Sequence, residues 1–185
     1  MRSSVLVAVS AAVLAVGCVS EQTYQTEVKK ADLYQTLNKQ LQTEINADQV
    51  QIQQLQDRVK VTMVDQILFP EGGWQISRKG EETLEKIVPA LKTLKNQRVV
   101  VEGFTDNVPI GPALKQRFPS NWEFSTTRAT DVVRFLAARG VSQNILSAEG
   151  FGDSRPVASN DTPQGKATPA GPSLPSRPAV RGPFA

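Results

Sequence analysis

The chain has 185 residues, a formal net charge of +3, a single cysteine and no histidine. The lack of histidine excludes histidine-based general base catalysis and removes the commonest metal ligand. The mild positive charge is not gathered into a Lys/Arg-rich patch, so no nucleic-acid partner is predicted. No metal or other cofactor is predicted either.

The first 17 residues are predicted to be a signal peptide. Arg2 precedes an uncharged run from Val5 to Val16 that ends in small residues. This run is shorter than the ~20 apolar residues that a membrane-spanning helix needs, and it has the layout of an export signal. A buried first helix is the alternative interpretation, but the run shows no amphipathic period.

The lone cysteine, Cys18, directly follows Ala15-Val16-Gly17. This stretch resembles the lipobox of bacterial lipoproteins, although that family usually has leucine where this chain has Ala15. The resemblance implies that Cys18 becomes the first mature residue and is acylated, and several acyl chains give stable membrane anchoring. Val19 stands where enterobacterial lipoproteins kept at the inner membrane have aspartate, which implies the periplasmic face of the outer membrane. A lipidated Cys18 leaves no thiolate for zinc or for nucleophilic chemistry.

Residues 18–62 are predicted to be a lipid anchor followed by a coiled-coil stalk. No proline or glycine occurs between Val19 and Phe69, and a helix over 21–62 would be about 60 Å long. Such a coiled coil would make the chain a homo-oligomer, whereas the alternative is a single solvated helix or a linker. Eight of the twelve core positions of the heptad are apolar; the twelve are Tyr24, Glu27, Ala31, Tyr34, Asn38, Leu41, Ile45, Asp48, Ile52, Leu55, Val59 and Thr62.

A compact α/β domain is predicted over 63–167. A helix interrupted or bent at Pro89 lies between the first two strands, and a capping box at Ser120 to Glu123 begins a second helix that Gly140 ends. The alternation of strands and helices implies helices packed on a small mixed sheet. The predicted elements are a strand over 63–69, a helix over 77–94, a strand over 97–103, a helix from 120 and a strand over 144–152.

Arg128 occupies an unexpected position in the second helix, inside the apolar stripe between Phe124 and Val132. Asp106 lies just past the strand 97–103, at an edge where ligand sites tend to occur. A guanidinium near a core needs a partner, and its planar fork suits a carboxylate. Two interpretations stay open. Arg128 and Asp106 pair with each other, or they flank a pocket in which Arg128 binds an external carboxylate and Asp106 an external ammonium.

Several motifs around these residues resemble the OmpA-like peptidoglycan-binding domain. They are VEGFTDNVPI, NWEFSTTRATDVVRFL and GVSQNILSAEGFGDSRPVASNDTPQGKA, and they look most like the periplasmic part of the flagellar stator protein MotB. The resemblance implies that Asp106 and Arg128 clamp the free amino-acid end of diaminopimelate in the peptide stem, with Thr105 before the aspartate and Asn121 opening the helix. Phe104 stands where the family often has histidine.

The end of the chain departs from the family, which usually continues with a last strand of the type Asn-Arg-Arg-Val-Glu-Ile. Residues 168–185 instead contain five of the twelve prolines, which is typical of a disordered tail. Natural divergence and a frame change in the gene are the two interpretations. A frame change would remove the last strand and leave an edge of the sheet unpaired.

These features together predict a non-enzymatic outer-membrane lipoprotein that binds peptidoglycan and tethers the membrane to the cell wall. The alternative is a coiled-coil adaptor or a stator-like subunit that the wall-binding domain positions, although no spanning helix with an ion-carrying carboxylate is evident. A hydrolase using Glu102, Asp106 or Glu123 is also conceivable, but no nucleophile–base pair or metal set accompanies these carboxylates.

Replacing the acylated residue tests the predicted anchor. Cys18→Ser should abolish incorporation of labelled palmitate, because no thiol remains, and should move the protein from the membrane to the soluble fraction. The double variant Cys18→Ser/Arg128→Ala also disables the predicted wall site. If that double variant still fractionates with outer membranes, Cys18 is not the anchor.

Overall fold

The computed structural model describes residues 20–154 and the backbone of residues 173–175. The predicted signal peptide (1–17), Cys18 and most of the proline-rich tail lie outside the described residues. The helices are α1 (Glu21–Gln40), α2 (Gln42–Asn46), α3 (Asp65–Leu68), α4 (Arg78–Lys92), α5 (Pro112–Lys115) and α6 (Asn121–Ala138), and the strands are β1 (Val50–Gln54), β2 (Arg58–Met63), β3 (Val99–Gly103), β4 (Leu146–Gly150) and β5 (Ser173–Pro175).

The predicted fold class is confirmed: helices pack on a small mixed sheet, and a long helix precedes the domain. The strand order is β1-β2-β5-β3-β4. The pair β3–β4 is parallel, whereas the other neighbours are antiparallel. The buried side chains of β2 and β3 form one hydrophobic cluster with those of α1, α4 and α6.

The long N-terminal helix is α1, and its second half packs on the domain. Residues 20–29 are exposed, whereas Leu37 and Leu41 have no exposed surface. Lys30 is the first buried residue of α1. Its Nζ donates to the carbonyl oxygen of Gln56 at 2.7 Å and pairs with the carboxylate of Glu27 at 2.7 Å. α1 therefore covers part of the core, and only about its first ten residues, roughly 15 Å of helix, are free of the domain.

The helix predicted over the rest of the stalk is wrong, because residues 50–63 form the hairpin β1–β2. Val59, Val61 and Met63 are buried and alternate with half-buried residues, which is the period of two that a strand requires. The apolar positions also match a heptad, and the lack of proline and glycine concealed the break. Asp48 provides that break with a φ of 55° just after α2, a conformation that aspartate tolerates better than most residues.

The strand predicted over 63–69 is also wrong. β2 ends at Met63, and residues 65–68 form the single helical turn α3. Ile67 and Leu68 of this turn are buried, so burial of an apolar run was correctly predicted but its conformation was not. Short apolar runs do not distinguish a strand from a helical turn.

The other predicted elements are confirmed with small shifts at their ends. The capping box at Ser120 and Glu123 is present, and Gly140 follows α6 with a φ of 89°. Helix α4 continues through Pro89 without ending there. Two glycines let α6 approach the sheet closely: a Cβ on Gly103 would lie 2.3 Å from the Ser125 carbonyl oxygen, and one on Gly150 would lie 2.1 Å from Thr126 Oγ1.

Part of the chain end forms a strand, contrary to the disorder predicted for 168–185. β5 lies between β2 and β3, with Leu174 opposite Val59 and Ser173 opposite Val100. It pairs with three residues of β2 but with one residue of β3. Pro175 lacks a backbone N–H and ends the strand, so the side of β3 that faces β5 is only partly paired within the described residues.

Within residues 20–154 and 173–175, no helix combines the length and apolar character needed to cross a membrane.

Substitutions in α1 and at Leu41, which directly follows it, distinguish a packed helix from a free stalk. Leu37→Ala and Leu41→Ala should each lower the free energy of unfolding by about 2–5 kcal/mol, because each leaves a cavity in the core. Val28→Ala on the same helix is the matched control, since Val28 is 37% exposed, and should change stability by less than about 0.5 kcal/mol. Urea unfolding of the full chain at two protein concentrations measures both. Wild-type stability of Leu37→Ala at low concentration would contradict the packed arrangement.

Candidate functional site

Arg128 is buried in α6 with 7% of its surface exposed, and Asp65 is its ionic partner. Nη1 donates to both carboxylate oxygens of Asp65, at 3.0 and 2.8 Å. Nε donates to the carbonyl oxygen of Gly73 at 2.8 Å. Nη2 has no acceptor among the described residues, so one end of the guanidinium is available to another group.

Two aromatic rings enclose the same guanidinium. Cζ of Arg128 lies 4.2 Å from the ring centroid of Phe124 and 4.8 Å from that of Phe69. Phe124 precedes Arg128 by one helical turn, and Phe69 directly follows α3. Cations over aromatic faces are stabilised electrostatically, more strongly where water is excluded. Burial lowers the pKa of Arg128 and Asp65 opposes that effect, while an arginine keeps its charge in proteins.

Asp65 is a residue of the candidate site that the sequence analysis missed. It begins α3, and its side chain is 27% exposed. Burial raises the pKa of Asp65 and outweighs the attraction of Arg128, and the charge of Asp106 raises that pKa further. The available signal was an acidic residue inside the apolar run MVDQILF. Assigning that run to a strand removed the reason to examine it.

Asp106 lies at the start of the loop after β3, near the guanidinium but not bonded to it. Its Oδ1 accepts a hydrogen bond from the amide of Val108 at 3.1 Å, which fixes the carboxylate in a local turn. Its charge raises the pKa of both Arg128 and Asp65, so the three groups share one electrostatic environment. A direct Asp106–Arg128 pair, the first interpretation of the sequence, is absent among the described ion pairs because Asp65 takes that place.

Asn121 and Thr105 hold the loop that carries Asp106. Nδ2 of Asn121 donates to the carbonyl oxygens of Asp106 at 3.3 Å and Val108 at 3.1 Å. The Thr105 amide donates to the Gly152 carbonyl at 2.8 Å, whereas its buried Oγ1 has no hydrogen-bond partner in the described part of the chain. Asn121 therefore positions the loop, and Thr105 keeps one polar group available.

A narrow cavity of about 20 Å3 adjoins the guanidinium. Its lining includes Asp65, Phe69, Phe104 and Arg128 but not Asp106, Asn121 or Thr105. Phe104 stacks on Phe151 with ring centroids 5.2 Å apart. The Arg128 guanidinium thus lies in a cleft, and the loop that carries Asp106 lies beside that cleft.

Two of the carboxylates considered for hydrolysis, Glu123 and Glu102, lie outside the Arg128–Asp65 ion pair. Glu123 belongs to the capping box of α6, and a hydrogen bond from Ser120 lowers its pKa, which does not suit a general acid. Glu102 lines the narrow cavity. No group of three or more Asp, Glu or Cys side chains placed to hold a metal ion occurs among residues 20–154.

Several proteins are similar to this chain in sequence. Motility protein B of Bacillus subtilis (strain 168) is 30% identical over 147 residues, 78% of this chain and 51% of that protein. Peptidoglycan-binding protein ArfA of Mycobacterium bovis is 31% identical over 113 residues, 61% of this chain and 32% of that protein. The probable lipoprotein YiaD of Escherichia coli (strain K12) is 30% identical over 111 residues, 60% of this chain and 48% of that protein. The chain spans about half the length of these relatives or less.

Solved structures share the fold. The cell wall anchor of the T6SS from Pseudomonas aeruginosa superposes with a TM-score of 0.68 and 31% identity, covering 76% of this chain and 97% of that one. The periplasmic domain of Helicobacter pylori MotB gives a TM-score of 0.60 and 25% identity, covering 71% of this chain and 80% of that one.

The resemblance drawn from the motifs around Asp106 and Arg128 is thus confirmed. The family model described as the OmpA family matches residues 68–169, which include β3, α6 and β4 with their connecting loops. The chain belongs to the OmpA family.

Proposed function

We propose that this chain binds peptidoglycan non-covalently through the diaminopimelate of the peptide stem, and that it tethers the outer membrane to the cell wall from a lipid anchor. Membership of the OmpA family supports the first part. So do the names of two similar proteins, a peptidoglycan-binding protein and a cell wall anchor.

The buried guanidinium of Arg128 is the observation that carries the proposal. Asp65 and Gly73 fix its orientation, the two phenylalanine rings exclude water, and Nη2 remains for a ligand. A carboxylate accepts hydrogen bonds from arginine more strongly than a neutral acceptor does. An arginine whose orientation is fixed in this way loses little entropy when a ligand carboxylate binds.

The charges around Arg128 favour a ligand that is a zwitterion. Asp65 and Asp106 are two carboxylates beside one guanidinium, so the group as a whole carries a net charge of −1 when all three are ionised. A ligand carboxylate at Nη2 adds a further negative charge, and an ammonium on the same carbon offsets it near Asp106. The free amino-acid end of diaminopimelate has both groups, and Thr105 Oγ1 can bond either.

The lipid anchor rests on Cys18 and its lipobox, and the similarity to a probable lipoprotein supports it. The packing of α1 changes the predicted stalk. About ten exposed residues, roughly 15 Å of helix, separate Ser20 from the first contact with the domain. The domain would therefore work close to the membrane surface.

An adaptor or stator-like role remains the second candidate, and the free part of α1 favours it. Tyr24 and Val28 are exposed there and lie four residues apart, so they share one helix face. A similar protein is named Motility protein B. This face would bind a protein partner while the domain holds the wall, and cross-linking from a photoreactive residue at position 24 would identify that partner.

Wall recognition should depend on Arg128 and Asp106. Arg128→Ala should weaken binding to purified sacculi about 30-fold or more, because losing one partner of a desolvated charged pair costs roughly 2–5 kcal/mol. Arg128→Lys should also bind poorly, since an ammonium lacks the planar fork. Asp106→Asn should weaken binding with little change in melting temperature, because an amide oxygen can still accept from Val108. Sedimentation with sacculi measures all three.

A surface arginine provides the control for these variants. Arg78→Ala removes a side chain that is 93% exposed and should leave binding unchanged. If Arg128 serves only as an internal ion pair, Arg128→Ala lowers the melting temperature while its folded fraction binds sacculi normally. Release of sugars or peptides from the same sacculi would reveal an enzyme instead of a binding protein.

The pH dependence of stability should reveal the half-buried carboxyl of Asp65. Its pKa is raised in the folded state, so the stability it contributes is complete below the unfolded pKa of about 3.9. That stability is lost as the pH rises through the folded pKa. The unfolding free energy of the wild type minus that of Asp65→Asn should therefore decrease as the pH rises from about 4. Denaturant unfolding over that range measures the difference, and an increase would mean that the attraction of Arg128 outweighs burial.

A further inference from the structure

A second and larger depression lies on the outward face of α6. This groove has a volume of about 470 Å3, within the range typical of small-molecule sites. Threonines on successive turns of α6 form its floor, and residues 74–75 and Arg117 border it. Both tryptophans of the chain, Trp74 and Trp122, line it.

The two indole rings differ in how exposed they are and in how firmly they are packed. Trp122 is 49% exposed, which is unusual for a side chain of its size. Trp74 is held in place: it meets Phe118 edge to face at 5.2 Å, and the Arg117 guanidinium lies 4.6 Å from its ring centroid. The groove therefore has one fixed and one accessible aromatic surface.

Polar groups with free bonding capacity surround these rings. The side chains of Gln75, Arg117 and Arg134 form no hydrogen bond or ion pair within the described residues. Asp131 uses Oδ2 to accept from the Ile76 amide at 2.8 Å, which leaves Oδ1. Thr126 and Thr130 donate their hydroxyl hydrogens to backbone carbonyls, and each oxygen can still accept.

We infer that this groove binds a pyranose ring of the N-acetylated glycan strand. A pyranose presents a face of C–H groups, which pack on the negative face of an aromatic ring, and a rim of hydroxyl and acetamide groups that need donors and acceptors. Exposed indoles beside uncommitted amide, guanidinium and hydroxyl groups match both features. The inference rests on the proposed function, since the glycan strand is the part of the wall that carries the stem peptide.

The groove and the cavity beside Arg128 share no lining residue, but two residues of the groove directly follow residues of the stem-peptide site in the chain. Trp74 follows Gly73, whose carbonyl accepts from Arg128, and Trp122 follows Asn121, which holds the Asp106 loop. A stem bound at Arg128 would thus place the sugar to which it is linked near the two indoles. One domain would hold both chemical parts of the polymer.

Tryptophan fluorescence tests the inference directly, because both tryptophans of the chain lie in the groove. A peptide-free tetrasaccharide of β-1,4-linked N-acetylglucosamine, added to the full-length protein, should change the intensity or wavelength of emission in a saturable manner. Free diaminopimelate should not reproduce that change. The inference would be overturned if the tetrasaccharide caused no change in emission at millimolar concentration. It would also be overturned if an acidic peptide changed the emission and the tetrasaccharide did not.

Variants separate this site from the Arg128 site. Trp122→Ala should weaken tetrasaccharide and sacculus binding about five- to tenfold and leave diaminopimelate binding by calorimetry unchanged, whereas Trp122→Tyr should restore most of the affinity. Arg128→Ala should keep the tetrasaccharide response and lose diaminopimelate. Tyr24→Ala, which removes an exposed aromatic residue from α1, is the control. Undiminished sacculus binding by Trp122→Ala would refute the groove, whereas undiminished binding by Arg128→Ala would refute the proposed function.

Discussion

Burial of one guanidinium organises the whole of the candidate site. Desolvating a cation is costly unless it is paired and hydrogen-bonded, and the partners of Arg128 come from separate parts of the chain. Asp65 begins α3, Gly73 lies in the following turn, and Phe124 precedes it on α6. The contacts that keep this charge in the core also bring together the turn after β2 and the helix after β3. The fold and the proposed recognition site therefore depend on the same interaction.

This arrangement also determines which part of the guanidinium a ligand can reach. Internal partners take Nε and Nη1, so a ligand competes with them for neither atom. The negative charges of Asp65 and Asp106 then penalise a simple anion. A bare carboxylate should be a weaker ligand than an amino-acid head group, and this selectivity comes from residues that need not touch the ligand.

Much of the domain could be predicted from sequence where local patterns were strong. The capping box at Ser120, the glycine at 140 and the buried run in β3 each have a specific local cause, and the motifs around Asp106 and Arg128 identified the family. The prediction of a coiled coil failed over residues 50–63, because their apolar residues fit both the heptad repeat of a helix and the period of two of a strand. Asp65 was missed because the run that contains it was assigned to a strand and because its partner Arg128 lies 63 positions further along the chain. The Trp74–Trp122 groove likewise depends on residues far apart in the chain.

The place of β5 in the sheet has a consequence for how the domain folds. Val59 pairs with Leu174 across about 115 positions, so the central strand is the last of the described strands to be synthesised. Pairings of such high contact order form slowly. Until they form, the hairpin β1–β2 and the pair β3–β4 are joined only through helices and loops. Closure of the sheet between β2 and β3 should therefore be slower than formation of either the hairpin or the β3–β4 pair, because it depends on the pairing that spans the most residues.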